Sequence, residues 1–78
     1  MSELYKNEII AGRQYRHWKN KHTYEVVGEA INADKQDEKS YIIYKDIITN
    51  QMFIRSPVNF FGWVKDEFGD KVSRFEPL

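Results

Sequence analysis

The chain has 78 residues, with 12 Lys and Arg against 12 Asp and Glu, so its formal net charge at neutral pH is zero. A neutral balance argues against the wide cationic face that duplex DNA demands, and the absence of cysteine excludes disulfides and thiolate metal sites. A domain this small buries only roughly 60% of its unfolded-chain surface. Its core must therefore come from large side chains, which 2 Trp, 5 Tyr and 5 Phe spread from end to end supply.

Residues 1–11 carry Leu4, Ile9 and Ile10 among polar neighbours and read as an N-terminal arm or short helical turn, ended by Gly12. The opening Met-Ser-Glu-Leu-Tyr-Lys lacks the apolar region of a signal peptide, and no apolar run approaches the length of a membrane span. A cytoplasmic location with no membrane contact is the expectation. Residues 12–78 read as one small domain. Gln14 to Lys19 is a strand that turns at Asn20-Lys21. From His22 to Asn32 the chain alternates, placing Tyr24, Val26, Gly28 and Ala30 on one face, with a bulge or bend at Gly28.

Ala33 to Ser40 is a charged hairpin connection. Its acids, Asp34, Asp37 and Glu38, lack the alternate oxygen spacing and closing glutamate of a calcium loop. Tyr41 to Ile48 is a strand rich in β-branched and aromatic residues, followed by a turn at Asn50-Gln51 and a strand over Met52 to Arg55. Pro57 is placed to open one helical turn through Phe61, and Gly62 releases it. Trp63 to Glu67 and Val72 to Phe75 form a last hairpin around Phe68-Gly69-Asp70.

These elements predict an all-β fold with a minor helical turn. The expected architecture is a small, strongly bent, SH3-like barrel of five to six strands, with one short helical turn near residues 57–61. Closure would remove the edge strands that an open sheet of this size carries. A three-stranded sheet with a helix over 57–68 is the alternative, and Gly62 and Gly69 weigh against it.

The stretch from Arg13 to His22 concentrates Arg13, Arg16, Lys19, Lys21 and both histidines around Tyr15 and Trp18, with no acid among them. Strand alternation puts Gln14, Arg16 and Trp18 on one face and Tyr15, His17 and Lys19 on the other. Trp18 draws its own face inward. On that reading Arg16 meets Glu25 or Glu29, and Arg16, Trp18, Glu25 and Arg74 form a structural network. Tyr15, His17 and Lys19 then face a shallow groove that Tyr44, Arg55 and Trp63 complete.

Cations interleaved with rings suit an anionic or aromatic ligand or a peptide. His17 has no nucleophile or orienting carboxylate at a recognisable spacing, and there is no metal-ligand set or cofactor loop, so an enzyme, a metal or a cofactor is not expected. The expected function is a non-catalytic binding module for a small anionic ligand or a protein partner. Two alternatives stay open. One is protein–protein interaction or weak homo-oligomerisation through the apolar residues of 41–54. The other is single-stranded nucleic-acid binding by the cationic strand.

Gly12-x-x-Tyr15-Arg16-His17-Trp18-Lys19, then Tyr24-Glu25-Val26-Val27-Gly28 with Ala30, resembles the opening signature of a bacterial family known as domain of unknown function 1653. The second half agrees through Tyr44, the Ile54-Arg55-x-Pro57 run, Phe61, the Gly69-Asp70-Lys71 turn and Arg74-Phe75. The resemblance spans about residues 12–76 and implies a small β-barrel; the family's name carries no activity. Two departures stand out. Asn32-Ala33-Asp34-Lys35 replaces a His-Ser/Thr-Glu-Thr-like loop, and Phe53-Ile54-Arg55-Ser56-Pro57 has one residue more than the usual Trp-Val-Arg-Pro.

Overall fold

A computed structural model of the chain describes residues 8–35 and 39–78. In chain order these form β1 (Gln14–His17), β2 (Thr23–Ile31), β3 (Ser40–Asp46), β4 (Met52–Arg55), α1 (Pro57–Phe60), β5 (Trp63–Lys65), β6 (Lys71–Ser73) and β7 (Phe75–Pro77). Most of the fold is β-structure, with one short helix, as the sequence implies. Five strands make an antiparallel sheet in the order β4-β3-β2-β1-β7, and β5 and β6 make a separate two-stranded ribbon. Among the described residues neither sheet closes on itself, so the larger one has edges at β4 and β7. The last strand, β7, pairs with the first, Tyr15 opposite Pro77 and His17 opposite Phe75. Phe75, expected to end the final hairpin, instead begins this strand.

The local chemistry of the turns explains where the strands stop. Lys21 and Asn50 adopt left-handed conformations (φ 64° and 63°), which close the β1–β2 and β3–β4 connections. Asp46 fixes the second of these: its Oδ1 accepts from the backbone N–H of Ile48 at 2.8 Å and of Thr49 at 3.3 Å. The strand predicted to run to Ile48 therefore ends at Asp46. Ser56 caps α1 by accepting from the Asn59 N–H at 3.3 Å, and Pro57 supplies the preset φ of a first helical residue. At Gly62 a Cβ would lie 2.7 Å from the carbonyl oxygen of Val58, so only glycine lets the chain leave the helix there.

The predicted bulge at Gly28 is present, and it has a further consequence. The register shifts between Val26 and Gly28: Val26 opposes Tyr44 whereas Gly28 opposes Ile43. Adjacent residues of β3 face opposite sides, so Gly28 and Ala30 lie on the face opposite to Tyr24 and Val26. The single face drawn through all four residues is thus corrected.

The core lies on one face of the five-stranded sheet, under α1. Tyr15, Tyr24, Val26, Ile42, Tyr44, Phe60 and Phe75 are buried together, with Ile9 and Phe61 packed against them. Phe60, 0% exposed, stacks on Phe75 with centroids 4.2 Å apart and planes 9° from parallel. It also meets Tyr15 and Tyr44 edge-on, each at 5.2 Å. Of the predicted N-terminal arm, Ile9 belongs to this packing, while residues 1–7 lie outside the described residues, as does 36–38 of the charged loop.

Removing the central ring tests this account. Phe60→Ala is expected to cost about 3–5 kcal/mol, much of the stability of a domain this small. Urea unfolding reads the loss, and a cost near zero would show that the ring does not organise the core.

Candidate functional site

The orientation of β1 is the reverse of the one expected. Tyr15 is 4% exposed and lies in the core, and His17 on the same face is half-buried, whereas Gln14 and Arg16 are exposed. Trp18 lies past the end of the strand, in the turn, so its burial says nothing about the strand's faces. The expected Arg16–Glu25 pairing is not formed: Arg16 sits opposite Thr23 and Glu76, and Glu25 accepts from the Gln14 amide at 3.3 Å. Tyr15 thus leaves the groove for the core, where burial raises its phenol pKa despite the nearby Arg13 charge. Tyr44, also buried, keeps a polar role, because its hydroxyl accepts from Nε of Arg55 at 3.2 Å.

His17 ends β1 with its ring between the aromatic core and the turn that follows. Its Nδ1 accepts from the backbone N–H of Lys19 at 3.2 Å, which leaves Nε2 to carry the proton in the neutral ring. The imidazole lies edge-on to Phe75 at 5.1 Å and tilted against Trp18 at 6.2 Å. Its pKa is held below the ordinary 6.5 by burial first, then by the positive charges of Arg55, Arg74, His22 and Lys19. These groups come from four places in the fold. Arg55 ends β4, Arg74 links β6 to β7, His22 precedes β2, and Lys19 lies in the β1–β2 turn.

Among the described residues neither Arg55 nor Arg74 pairs with a carboxylate. Arg74 Nε is buried and has no hydrogen-bond partner. His22 does have a carboxylate beside it, with Nδ1 2.9 Å from Asp46 Oδ2. The buried Asp46 has its carboxyl pKa lowered by the Ile48 N–H first and by the His22 hydrogen bond next.

A cleft of about 630 Å³ adjoins His17. One wall is Arg16, His17, Trp18, Lys19 and Lys21, from β1 and its turn, with Glu76 of β7 beside Arg16; Asp66, Glu67, Phe68, Val72 and Ser73 of the β5–β6 ribbon form the other. Of the residues expected to line a groove, His17 and Lys19 are therefore in this cleft, and Tyr44 and Arg55 border a shallower groove over β3 and β4. Trp63 lines neither.

Arg74, expected to be structural, has its Nε buried, and Asp46 and Phe68 lie outside the expected site residues. Asp46 could have been found as an acid before a turn, from its spacing to Asn50; Arg74 carries no local signal. Among the described residues there is no cluster of three or more metal-ligating side chains, and no helix is long and apolar enough to cross a membrane.

A family model described as "Protein of unknown function (DUF1653)" matches residues 13–77. Neither a curated protein nor a solved structure matches the chain.

The depressed pKa of His17 fixes the sign of a pH effect. Between its folded pKa and 6.5 the unfolded chain holds the proton that the folded chain refuses, so stability falls as pH drops through this window. Asp46 adds to the loss below 3.8, where its folded-state advantage disappears as pH falls through its lowered pKa. Melting temperature measured from pH 7.5 down to pH 5 is expected to decline less steeply in His17→Gln than in the parent. Equal slopes would refute the assignment. Asp46→Ala is expected to lower the melting temperature by roughly 5 °C or more, and Asp46→Asn, which keeps an acceptor for the turn, by less.

Proposed function

The chain belongs to the DUF1653 family, and from this premise we propose that it is a small, non-catalytic binding module whose ligand presents an anionic group to His17, Arg55 and Arg74. The observation that carries the reading is the pairing state of the two guanidiniums. Both charges lower the pKa of the half-buried His17 imidazole, and no described carboxylate answers either of them. An arginine head group with no carboxylate partner can take charge-assisted bonds from an incoming carboxylate or phosphate. The neutral imidazole contributes a donor through Nε2. Tyr44 holds the Arg55 head group in place, as an orienting contact rather than a ligand contact.

A second reading, self-association, draws on β4. This edge strand exposes Met52, Phe53 and Ile54, and its outer backbone is unpaired in the sheet order. Antiparallel pairing of β4 with β4 of a second copy would cover it. Sedimentation velocity over a wide concentration range tests this, and a monomer throughout would refute it.

For the leading reading, inorganic phosphate, sulfate and short carboxylates are titrated against the protein by calorimetry and thermal shift. Binding is expected for at least one of them, weakened roughly tenfold or more in Arg55→Gln and in Arg74→Gln. Circular dichroism confirms that the variants remain folded. Absence of binding by every anion, or full affinity in both variants, would overturn the reading.

A further inference from the structure

We infer that the cleft between β1 with its turn and the β5–β6 ribbon is a site for a short zwitterionic peptide, of dipeptide size, whose aromatic side chain seats between Trp18 and Phe68. This goes beyond the anion-binding reading and does not rest on it, because neither Arg55 nor Arg74 lines this cleft.

Charge is divided between the two walls. Arg16, Lys19 and Lys21 line the β1 side, where Glu76 is the only acid, and the ribbon contributes Asp66 and Glu67 with no cation. Among the described residues none of these side chains takes part in an ion pair. Cations and acids that line opposite sides of an open cleft without pairing suit a molecule that is negative at one end and positive at the other. The ribbon acids penalise a polyanion such as a nucleic-acid strand, and the three cations penalise a simple amine. A free peptide meets both walls, its carboxylate at the cations and its ammonium at the acids, through charge-assisted bonds.

The rings account for the aromatic side chain. Phe68 is 82% exposed at the tip of the β5–β6 ribbon, outside the core, and makes no ring contact with the described aromatics. Yet its backbone is tied down. Asp66 Oδ1 accepts from the N–H groups of both Phe68 and Asp70 at 2.9 Å, and the Gly69 N–H donates to the Asp66 carbonyl at 3.0 Å. Gly69 takes the positive φ of 83° that the turn needs. On the opposite wall, Trp18 has His17 as its only ring neighbour among the described residues, at 6.2 Å. A ring entering the cleft therefore finds aromatic surface on both sides.

Size narrows the class. About 630 Å³ is the scale of a small-molecule site rather than of a seat for a lone ion. A free amino acid carries both charges on one carbon and cannot offer them to opposite walls. A dipeptide places them at its two ends and adds an amide, for which Ser73 brings a hydroxyl to the same cleft.

The test titrates the isotope-labelled full chain with glycylphenylalanine, glycylalanine, N-acetylglycylphenylalanine and glycylphenylalaninamide, following amide and indole N–H chemical shifts. The Trp63 indole, which lines neither cavity, is the internal reference. Glycylphenylalanine is expected to shift the Trp18 indole and the Phe68 amide, and to bind roughly tenfold more tightly than glycylalanine, the increment of a ring between aromatic side chains. Capping either terminus is expected to weaken binding about 2- to 5-fold, as loss of a solvent-exposed charge contact does. Phe68→Ala should remove most of the ring's increment, and because Phe68 is outside the core this variant stays folded. The inference is overturned by glycylalanine matching glycylphenylalanine, or by either capped peptide binding as tightly as the zwitterion. Unchanged affinity in Phe68→Ala, or no Trp18 shift with any of the peptides, overturns it equally.

Discussion

The stack of Phe60 on Phe75 is the contact on which the rest of this molecule depends. An open five-stranded sheet without disulfides has one face to bury and little with which to cover it. The cover is a single helical turn, too short to persist by its own hydrogen bonds. It is held because Phe60 enters the centre of the sheet and lies flat on Phe75, with Tyr15 and Tyr44 edge-on around it. Offset and edge-to-face contacts let several rings share one small volume without voids. The stack also fixes what flanks it in the chain. Arg55 and Ser56 lead into the helix, and Arg74 immediately precedes Phe75, so packing these two rings sets where both guanidiniums begin.

How far the sequence discloses this depends on whether the cause is local. Met52 to Arg55, the proline-opened turn, the Asn50 turn and the Gly28 bulge follow from side-chain shape and backbone preference within a few residues, and they are legible. The β1 faces are the reverse of those the pattern suggests because Trp18, which draws its alternation inward, lies beyond a strand that ends at His17. With a period of two, the choice of which residue is taken as inward decides the fate of all the others. The bulge was legible as an event but not in its effect, since the exchange of faces shows only against the β3 register. Pairing of β7 with β1 joins the two ends of the domain, and no pattern within either segment encodes it.

The candidate site was half legible for the same reason. His17 and Lys19 are prominent because their neighbours in sequence are cationic too. Arg55 and Arg74 are isolated in the chain and become neighbours of His17 only through folding. Burial and like charge then act together on the imidazole. Both disfavour its protonated form, and the Lys19 N–H occupies the nitrogen that protonation would need. Repulsion among these groups works against folding, a cost that aromatic packing nearby must offset. Such local conflict, set within an otherwise consistent core, is where a ligand has most to contribute.

The resemblance to the family can be divided on the same physical basis. Tyr15, Tyr24, Val26, Tyr44 and Phe75 from the shared motifs are core, while Arg55 and Arg74 are charges that lower the His17 pKa. The departing loop at 32–35 belongs to neither group. It leaves the end of β2 where Ile31 pairs with Ser40, whereas Tyr24 and Asp46, at the other end of the same ladder, adjoin the His22 contact. Its own turn is self-contained, the Asn32 side chain accepting from the Asp34 N–H at 3.1 Å. The extra residue before Pro57 is absorbed in a different way: Ser56 occupies the cap of α1, so the helical turn begins at Pro57 and Phe60 still reaches the core. Neither change displaces a residue of either group. Both places leave the packing of the core rings as it is.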